Sequence, residues 1–241
     1  MWFEPALRPD IAAGPTDWQQ LVHGIWLREQ IEQQLDPHLT KMFGYHFVRV
    51  GQLAQQLQLT QIRIGHELQV AKQLPAEVLV DTNHWPFAEH SLDAILMVAE
   101  LEFERDPHQV LREMSRSLIA DGYLILVGFN PFSPALLPGL WPGRGDRFPW
   151  CGRYFSKARI NDWLALLNFE IITSEYFAPS LFIDRLNPAN SVLQRLYQWF
   201  PQLGSMYLVV ARKREMPLTL TRQRAPLKAK LKQMPVANRV E

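Results

Sequence analysis

The sequence contains one cysteine, Cys151, in 241 residues. A single cysteine excludes an internal disulfide and is typical of proteins in a reducing compartment. No run approaches about 18 apolar residues, so no membrane-spanning helix is predicted. The first residues, MWFEPALRPD, lack a basic segment followed by an apolar one, which excludes a secretory signal. From these absences we expect a cytoplasmic protein.

Charge is also scarce, at 20% of the residues, and it is unevenly placed. From Arg212 to the end, nine basic and two acidic residues give +7, which leaves −6 for the rest because the whole chain carries +1. A basic segment without apolar periodicity predicts a disordered tail over residues 214–241. Such a tail either solubilises the protein or attracts nucleic acid weakly. It lacks the aromatic residues that stack on bases.

An N-terminal helical cap is predicted over residues 1–44. Thr16 and Gln19 match a capping box at its start. The helix is expected to break or kink at Asp36-Pro37, since proline disfavours the helical conformation of its predecessor. This cap either covers one face of a sheet or acts as a lid over a pocket. Its apolar residues recur at helical spacing, at Trp18, Leu21, Val22, Ile25 and Trp26.

Short apolar runs that alternate with helical segments predict an α/β fold with a doubly wound, mostly parallel sheet. The last two strands are expected to pair antiparallel at one edge. One predicted helix starts at Asp106-Pro107 and ends at Asp121-Gly122, with the glycine in the left-handed conformation. Another begins at Ser156 and ends at Asn168. The predicted strands cover residues 46–50, 62–65, 77–81, 92–99, 123–129, 170–177 and 205–211.

Residues 78–133, VLVDTNHWPFAEHSLDAILMVAELEFERDPHQVLREMSRSLIADGYLILVGFNPFS, resemble the middle of the class I S-adenosylmethionine-dependent methyltransferases of the type 11 group. Many spaced elements agree in order, and the resemblance extends over roughly residues 45–213. It implies a Rossmann-like methyltransferase domain over that range. It also implies S-adenosyl-L-methionine as the cofactor and a small molecule as the acceptor.

The resemblance assigns cofactor roles to particular positions. Asp81 would accept a hydrogen bond from the adenine amino group, with the backbone N–H of Thr82 nearby. The end of the fourth strand, from Val98, would pass beneath the methionine part. Gly51 would begin the loop around the cofactor, and Glu67 would bind the ribose hydroxyls. The alternative for Asp81 is a structural role, in which its side chain caps the turn that follows the strand.

The resemblance also suggests where the acceptor would bind. Asn130, Pro131 and the loop through Trp150 would face it. Methyl transfer relies on alignment of donor and acceptor and needs a general base only for some acceptors. Glu100 and Glu102 either act as that base or form a solvated strand end.

The first glycine motif departs from the family pattern of acid-x-Gly-x-Gly-x-Gly. Arg49, Leu53 and Gln55 replace the acid and the two later glycines, which opposes conventional cofactor binding. Only ten residues separate Gly51 from Ile62, so the first helix is expected to shrink to a turn or two. The second strand could then return antiparallel as a wide hairpin.

Metal chemistry finds no support in the sequence. His84 and His90 have no second ligand pair at suitable spacing. His66-Glu67 begins a metalloprotease pattern, but Val70 stands where its second histidine belongs.

The sequence as a whole supports three functional hypotheses: a methyltransferase with an atypical cofactor loop, a catalytically inactive relative that binds a ligand or partner, and a nucleic-acid methyltransferase guided by the tail.

Overall fold

The computed structural model describes residues 13–136, 148–183 and 191–215. Its α-helices are α1 (Gly24–Leu39), α2 (Gln52–Gln55), α3 (Pro107–Ser117), α4 (Lys157–Leu166) and α5 (Ser191–Trp199). Short 3₁₀ turns cover Trp18–Gln20, Leu101–Phe103 and Pro201–Leu203. The strands are β1 (His46–Val50), β2 (His66–Ala71), β3 (Val78–Leu79), β4 (Leu92–Val98), β5 (Leu118–Phe129), β6 (Phe169–Phe177) and β7 (Met206–Lys213).

The strands form one sheet in the order β3-β2-β1-β4-β5-β7-β6. The pairs from β3 to β5 are all parallel, whereas β7 pairs antiparallel with both β5 and β6. The predicted doubly wound sheet with antiparallel C-terminal strands is therefore confirmed. The last strand in the chain lies inside the sheet, and β6 forms the edge. None of the described helices is long and apolar enough to cross a membrane.

The second strand lies further along the chain than the sequence predicts. It covers His66–Ala71 instead of residues 62–65, and it runs parallel to β1 with His66 opposite His46. The alternation of Ile62 and Ile64 resembles a strand, but both side chains pack on the core from an irregular connection. The first helix is reduced as expected, to the single turn of α2.

Two helix boundaries also differ from the prediction. α1 begins at Gly24, after His23 in the left-handed conformation, and it includes Pro37 before it ends at Leu39. A proline so near the C-terminus disturbs few of the hydrogen bonds of the helix. α3 ends at Ser117, so β5 already begins at Leu118.

The left-handed residue in that region is Asp121, with φ of 64°, and not the following glycine. Asp121 stands inside β5, where a non-glycine left-handed residue is uncommon. Two expectations about α4 are confirmed. Ser156 caps its start by accepting a hydrogen bond from the N–H of Arg159, and Asn168 adopts φ of 61° after its end.

Apolar layers cover both faces of the sheet. On one face, Leu27, Ile31 and Leu35 of α1 belong to the same buried cluster as Phe47 of β1 and Leu96 of β4. On the other face, α3 and α4 pack against the alternate strand residues, as the two-residue period of a strand requires. The sheet is thus shielded from water on both faces, and its carboxyl edge remains for ligands.

Candidate cofactor and substrate site

A cavity of about 300 Å³ lies beyond the carboxyl ends of β1, β2 and β4. This is where the strand order reverses, because β1 has β2 on one side and β4 on the other. Ligands of doubly wound sheets bind at such a switch point. Residues from five parts of the chain line the cavity, among them Gly14, Gln52, Lys72, Asn83, Glu100 and Phe103.

Gly51 joins β1 to α2 beside this cavity. Its φ is 90°, a conformation that residues with a side chain rarely adopt. A Cβ at this position would lie 2.7 Å from the carboxylate oxygen Oε2 of Glu100. The glycine is therefore required for two reasons, its backbone conformation and the close approach of Glu100.

Arg49 and Leu53, which break the family's glycine motif, are directed away from the cavity. Leu53 is buried in the apolar layer that contains α1. Arg49 lies on the same side of β1, where Nη2 donates to Glu67 Oε2 at 2.5 Å and Nη1 donates to the carbonyl of Leu57 at 2.9 Å. Among the described residues that line the cavity, neither Arg49 nor Leu53 occurs. The two departures thus change the core next to the loop, and from this loop Gln52 lines the cavity.

Glu67 lies at the amino-terminal end of β2, as its second residue. The sequence places it after the second strand, and this position is corrected by the later start of that strand. The residue that follows the carboxyl end of β2 is Lys72, which lines the cavity. Its Nζ lies 2.8 Å from Glu104 Oε2 and 3.9 Å from Glu100 Oε1. A cation therefore stands where the family pattern leads one to expect an acid.

Asp81 is bound within its own turn. Its Oδ1 accepts hydrogen bonds from the backbone N–H of Asn83 at 3.0 Å and from Nδ2 of the same residue at 3.2 Å. Its Oδ2 lies 3.0 Å from Nδ1 of His84. These contacts, the backbone N–H of Asn83 foremost, lower the pKa of the mostly exposed Asp81 carboxyl.

Asn83, two residues after Asp81, is the residue of this turn that lines the cavity. Its Oδ1 is buried without a hydrogen-bond partner in the described parts of the chain. The neighbouring Thr82 is buried and turns its hydroxyl to Glu104 Oε1, at 2.7 Å. Sequence reasoning missed Asn83 because the family pattern directs attention to the acid at Asp81. The Asp-x-Asn spacing of an Asx turn is the signal that could have revealed it.

Three buried carboxyl groups follow Val98, the last residue of β4. The 3₁₀ turn at Leu101–Phe103 directs them to different sides. Glu100 faces the cavity, and burial raises its pKa to about 7. Glu102 accepts a hydrogen bond from the N–H of Phe129 at 2.9 Å, and burial likewise raises its pKa to about 7. Of the two candidate bases, Glu100 alone lines the cavity among the described residues.

The third of these groups, Glu104, has no side-chain exposure and forms an ion pair with Lys72. Burial raises the pKa of Glu104, while Lys72 opposes that effect. The hydroxyl of Thr82 completes the surroundings of this carboxylate. The pair therefore holds the ends of β2 and β3 against the turn after β4.

Of the predicted acceptor residues, Asn130 fixes the segment after β5. Asn130 is buried, and its Nδ2 donates to the carbonyls of Gln202 and Gly204 at 2.8 Å each. Pro131 follows it, and Trp150 donates its Nε1 proton to the carbonyl of Ala135 at 3.2 Å. The described cavity wall contains none of these three residues. Much of the predicted acceptor loop, residues 137–147, lies outside the described residues.

The basic tail lies mostly outside the described residues too, which end at Glu215. The part that is described contacts the sheet. Lys213 ends β7 and donates to the carbonyl of Leu118 at 2.8 Å. Arg214 lies 2.6 Å from Glu170 and 2.9 Å from Asp121. Some of the positive charge counted from Arg212 onward is thus bound to the domain, and nucleic-acid binding by the tail stays a prediction.

Metal ligands are the last class of site residues to consider. Within the three described ranges, no group of three or more His, Cys, Asp or Glu residues could hold a metal ion.

Comparisons with known proteins agree with this fold. A family model described as a methyltransferase domain matches residues 43–126. The chain is 37% identical to the uncharacterized protein YafS of Escherichia coli (strain K12) over 219 residues, which is 90% of this chain and 88% of YafS.

Solved structures share the fold at low sequence identity. A SAM dependent methyltransferase from Archaeoglobus fulgidus is 15% identical with a TM-score of 0.53, over 77% of this chain and 94% of the other. The [4+2]-cyclase SpnF is 16% identical with a TM-score of 0.55, over 88% of this chain and 90% of SpnF. The strand order, the matched domain and these likenesses lead to one conclusion: the chain belongs to the type 11 group of class I S-adenosylmethionine-dependent methyltransferases.

Proposed function

We propose that this protein binds S-adenosyl-L-methionine in the cavity beyond β1, β2 and β4 and methylates a small-molecule acceptor. The observation that carries the proposal is the position of the cavity. It lies at the switch point of the sheet, next to Gly51. Gly51 has a positive φ and no side chain, so a ligand can approach its backbone closely. In this fold the first strand and its loop lead to the ligand.

The residues of the cavity fit this cofactor in their chemistry. Glu100 offers a carboxylate to positively charged groups, and Asn83 offers a buried acceptor oxygen to an N–H or O–H group. Gln52 Nε2 donates hydrogen bonds to the carbonyls of Gln73 and Pro75. Its amide group therefore forms part of the cavity wall and is not available to donate to the cofactor. The departures at Arg49 and Leu53 do not obstruct the cavity, since both side chains lie in the core.

The bound cofactor would supply a methyl group on a positively charged sulfur, which is transferred as the S–CH₃ bond breaks and a bond from the acceptor forms. The protein's part is to hold donor and acceptor in line and to exclude water. An acceptor that loses a proton needs a base. Glu100 is the candidate at hand, because a carboxyl with a pKa of about 7 is partly ionised at neutral pH.

Titration calorimetry with S-adenosylmethionine and S-adenosylhomocysteine tests the proposal. We expect both to bind the purified protein, and we expect Gly51→Ala to weaken binding because its Cβ would displace the Glu100 carboxylate. Gly65→Ala is a matched control, since nothing lies within 4 Å of the Cβ it would add. Absence of binding of both ligands at millimolar concentration, with the folded state verified by circular dichroism, would refute the function.

A second candidate function is ligand binding without turnover. The observation that favours it is Lys72, which stands at the end of β2 and neutralises Glu104 where the family pattern predicts an acid for the ribose. The fold does not specify methyl transfer by itself, because function resides in the site. Incubation with methyl-labelled cofactor and fractionated small metabolites separates the two. Label in a metabolite fraction indicates turnover, and tight binding without any transfer indicates a binding protein.

A further inference from the structure

The carboxylate of Glu100 is enclosed on two sides by glycines. A Cβ at Gly51 would lie 2.7 Å from its Oε2, and a Cβ at Gly14 would lie 3.6 Å from the same atom. The residue is 9% exposed and lines the cavity. In the described parts of the chain, no hydrogen bond is donated to either of its oxygens, and its nearest cation is Lys72 Nζ at 3.9 Å. The group is thus buried at the cavity wall with its hydrogen-bonding capacity unused.

The cavity lining carries two cations, Lys72 and Arg105, and two carboxylates, Glu100 and Glu104, but neither cation lies in close contact with Glu100. Lys72 serves two carboxylates, and it lies closer to Glu104, at 2.8 Å, than to Glu100. Arg105 lines the cavity from an exposed position and forms no ion pair among the described residues. No titratable side chain lines the cavity from residues 13–16 or from the end of β1. Among the described residues, an ionised Glu100 therefore has no closer cation than Lys72 Nζ, at 3.9 Å.

We propose that Glu100 is the counter-ion of the sulfonium of the bound ligand, so that the cavity selects the methyl donor, whose sulfur is charged, over the thioether product, whose sulfur is not. This inference rests on the proposed function and adds to it the property that decides which ligand stays bound. Donor and product differ by one methyl group and by the charge on sulfur. An ionic interaction in a site largely shielded from water distinguishes such a pair strongly, whereas a methyl group alone gives a modest difference.

The selectivity should depend on pH in a definite direction. Burial raises the pKa of Glu100 to about 7, so near pH 6 the carboxyl of the ligand-free protein is mostly protonated. A ligand cation favours the ionised form, and its binding must then release a proton. The groups that modulate this titration are Lys72 and Glu104, and the buried Glu102 interacts electrostatically with Glu100 as well. The donor-to-product preference should therefore increase as pH rises from about 6 to about 7.3, below the titration of the ligand's own α-amino group.

The test is titration calorimetry of S-adenosylmethionine and S-adenosylhomocysteine with the wild-type protein, Glu100→Gln and Glu102→Gln. At about pH 7.3 we expect the wild type to bind the donor about tenfold more tightly than the product, and Glu100→Gln to reduce that ratio to about threefold or less. Glu102→Gln is the matched control, because it removes a neighbouring buried carboxyl that also has a pKa of about 7 and does not line the cavity. Its ratio should stay that of the wild type.

The outcomes separate this inference from the function on which it rests. Binding of both ligands with a ratio near one, or with a ratio that Glu100→Gln leaves unchanged, overturns the inference while cofactor binding stands. Binding of neither ligand overturns both. If Glu100→Gln does not fold, the wild type alone decides: a preference for the donor that increases with pH, with proton release at pH 6 in buffers of different ionisation enthalpy, supports the inference. A preference that is flat with pH contradicts it.

Discussion

Lys72 Nζ lies 2.8 Å from Glu104 Oε2, and this ion pair joins the end of β2 to the turn that follows β4. Glu104 has no side-chain exposure, whereas Lys72 is 37% exposed. A buried carboxylate becomes costly to ionise when the cation paired with it is removed. The pair thus links the stability of the domain to the architecture of its cavity.

Lys72→Met should destabilise the protein in a pH-dependent way. We expect a loss of roughly 2 kcal/mol in the free energy of unfolding at about pH 8, less than for a fully buried pair because Lys72 is partly exposed. The loss should be smaller at about pH 5 than at pH 8, because burial raises the pKa of Glu104 and the protonated carboxyl does not need a cation. Urea denaturation at both pH values measures this. Lys72→Met with Glu104→Gln should recover most of the loss, and an equal loss at both pH values would contradict the explanation.

Glu102→Gln should flatten the pH dependence of stability. The pKa of Glu102 is raised from 4.5 to about 7, so the folded state binds this proton more tightly than the unfolded state does. Its contribution to stability is therefore fully present below about pH 4.5 and is lost as pH rises to about 7, a change of about 3 kcal/mol. The amide oxygen of glutamine can still accept the hydrogen bond from Phe129.

We expect Glu102→Gln to be more stable than the wild type at pH 8 and to approach it at pH 5, in urea titrations across this range. The remaining slope would come in part from Glu100, whose pKa is raised to a similar value. Identical slopes for variant and wild type would show that Glu102 ionises with its usual pKa.

Asn83→Ala should weaken cofactor binding more than Asp81→Ala does. Asn83 lines the cavity with its Oδ1 unpartnered in the described chain, whereas Asp81 is occupied with Asn83 and His84. Loss of one hydrogen bond to the ligand corresponds to about tenfold in affinity, and loss of the group that only orients Asn83 should cost less. Calorimetry of both variants, with the exposed His84→Ala as control, decides the point. A larger effect of Asp81→Ala would return the adenine contact to that residue.

The order of the fold elements could be read from the sequence because each depends on local pattern. The run of apolar residues in β4, the proline after Asp106 at the start of α3 and the left-handed Asn168 after α4 act through neighbours in the chain. The family resemblance rests on the same local spacing. It could therefore give the domain, its methyltransferase family and the importance of Gly51.

Errors arose where local pattern supports two outcomes. Ile62 and Ile64 alternate as a strand would, and only the position of β2 beside β1 shows that they pack from a connection. Because the predicted strand was a few residues too early, Glu67 was predicted at the carboxyl end of β2, whereas it lies near the amino-terminal end. For the same reason Lys72, which follows the carboxyl end, was not predicted as a site residue. The left-handed residue near the start of β5 is Asp121, whereas the sequence predicts Gly122. The strand begins at Leu118, earlier than the periodicity of α3 suggests.

By itself the sequence determined the α/β class, the broken glycine motif and the acids that follow β4, since these are properties of residues and their spacing. Tertiary structure decided where each side chain points. It buried Arg49 against Glu67, paired Lys72 with Glu104 and left Glu100 facing the cavity between two glycines. The physical reason is that charge pairing and burial depend on residues distant in the chain, which no local pattern brings together.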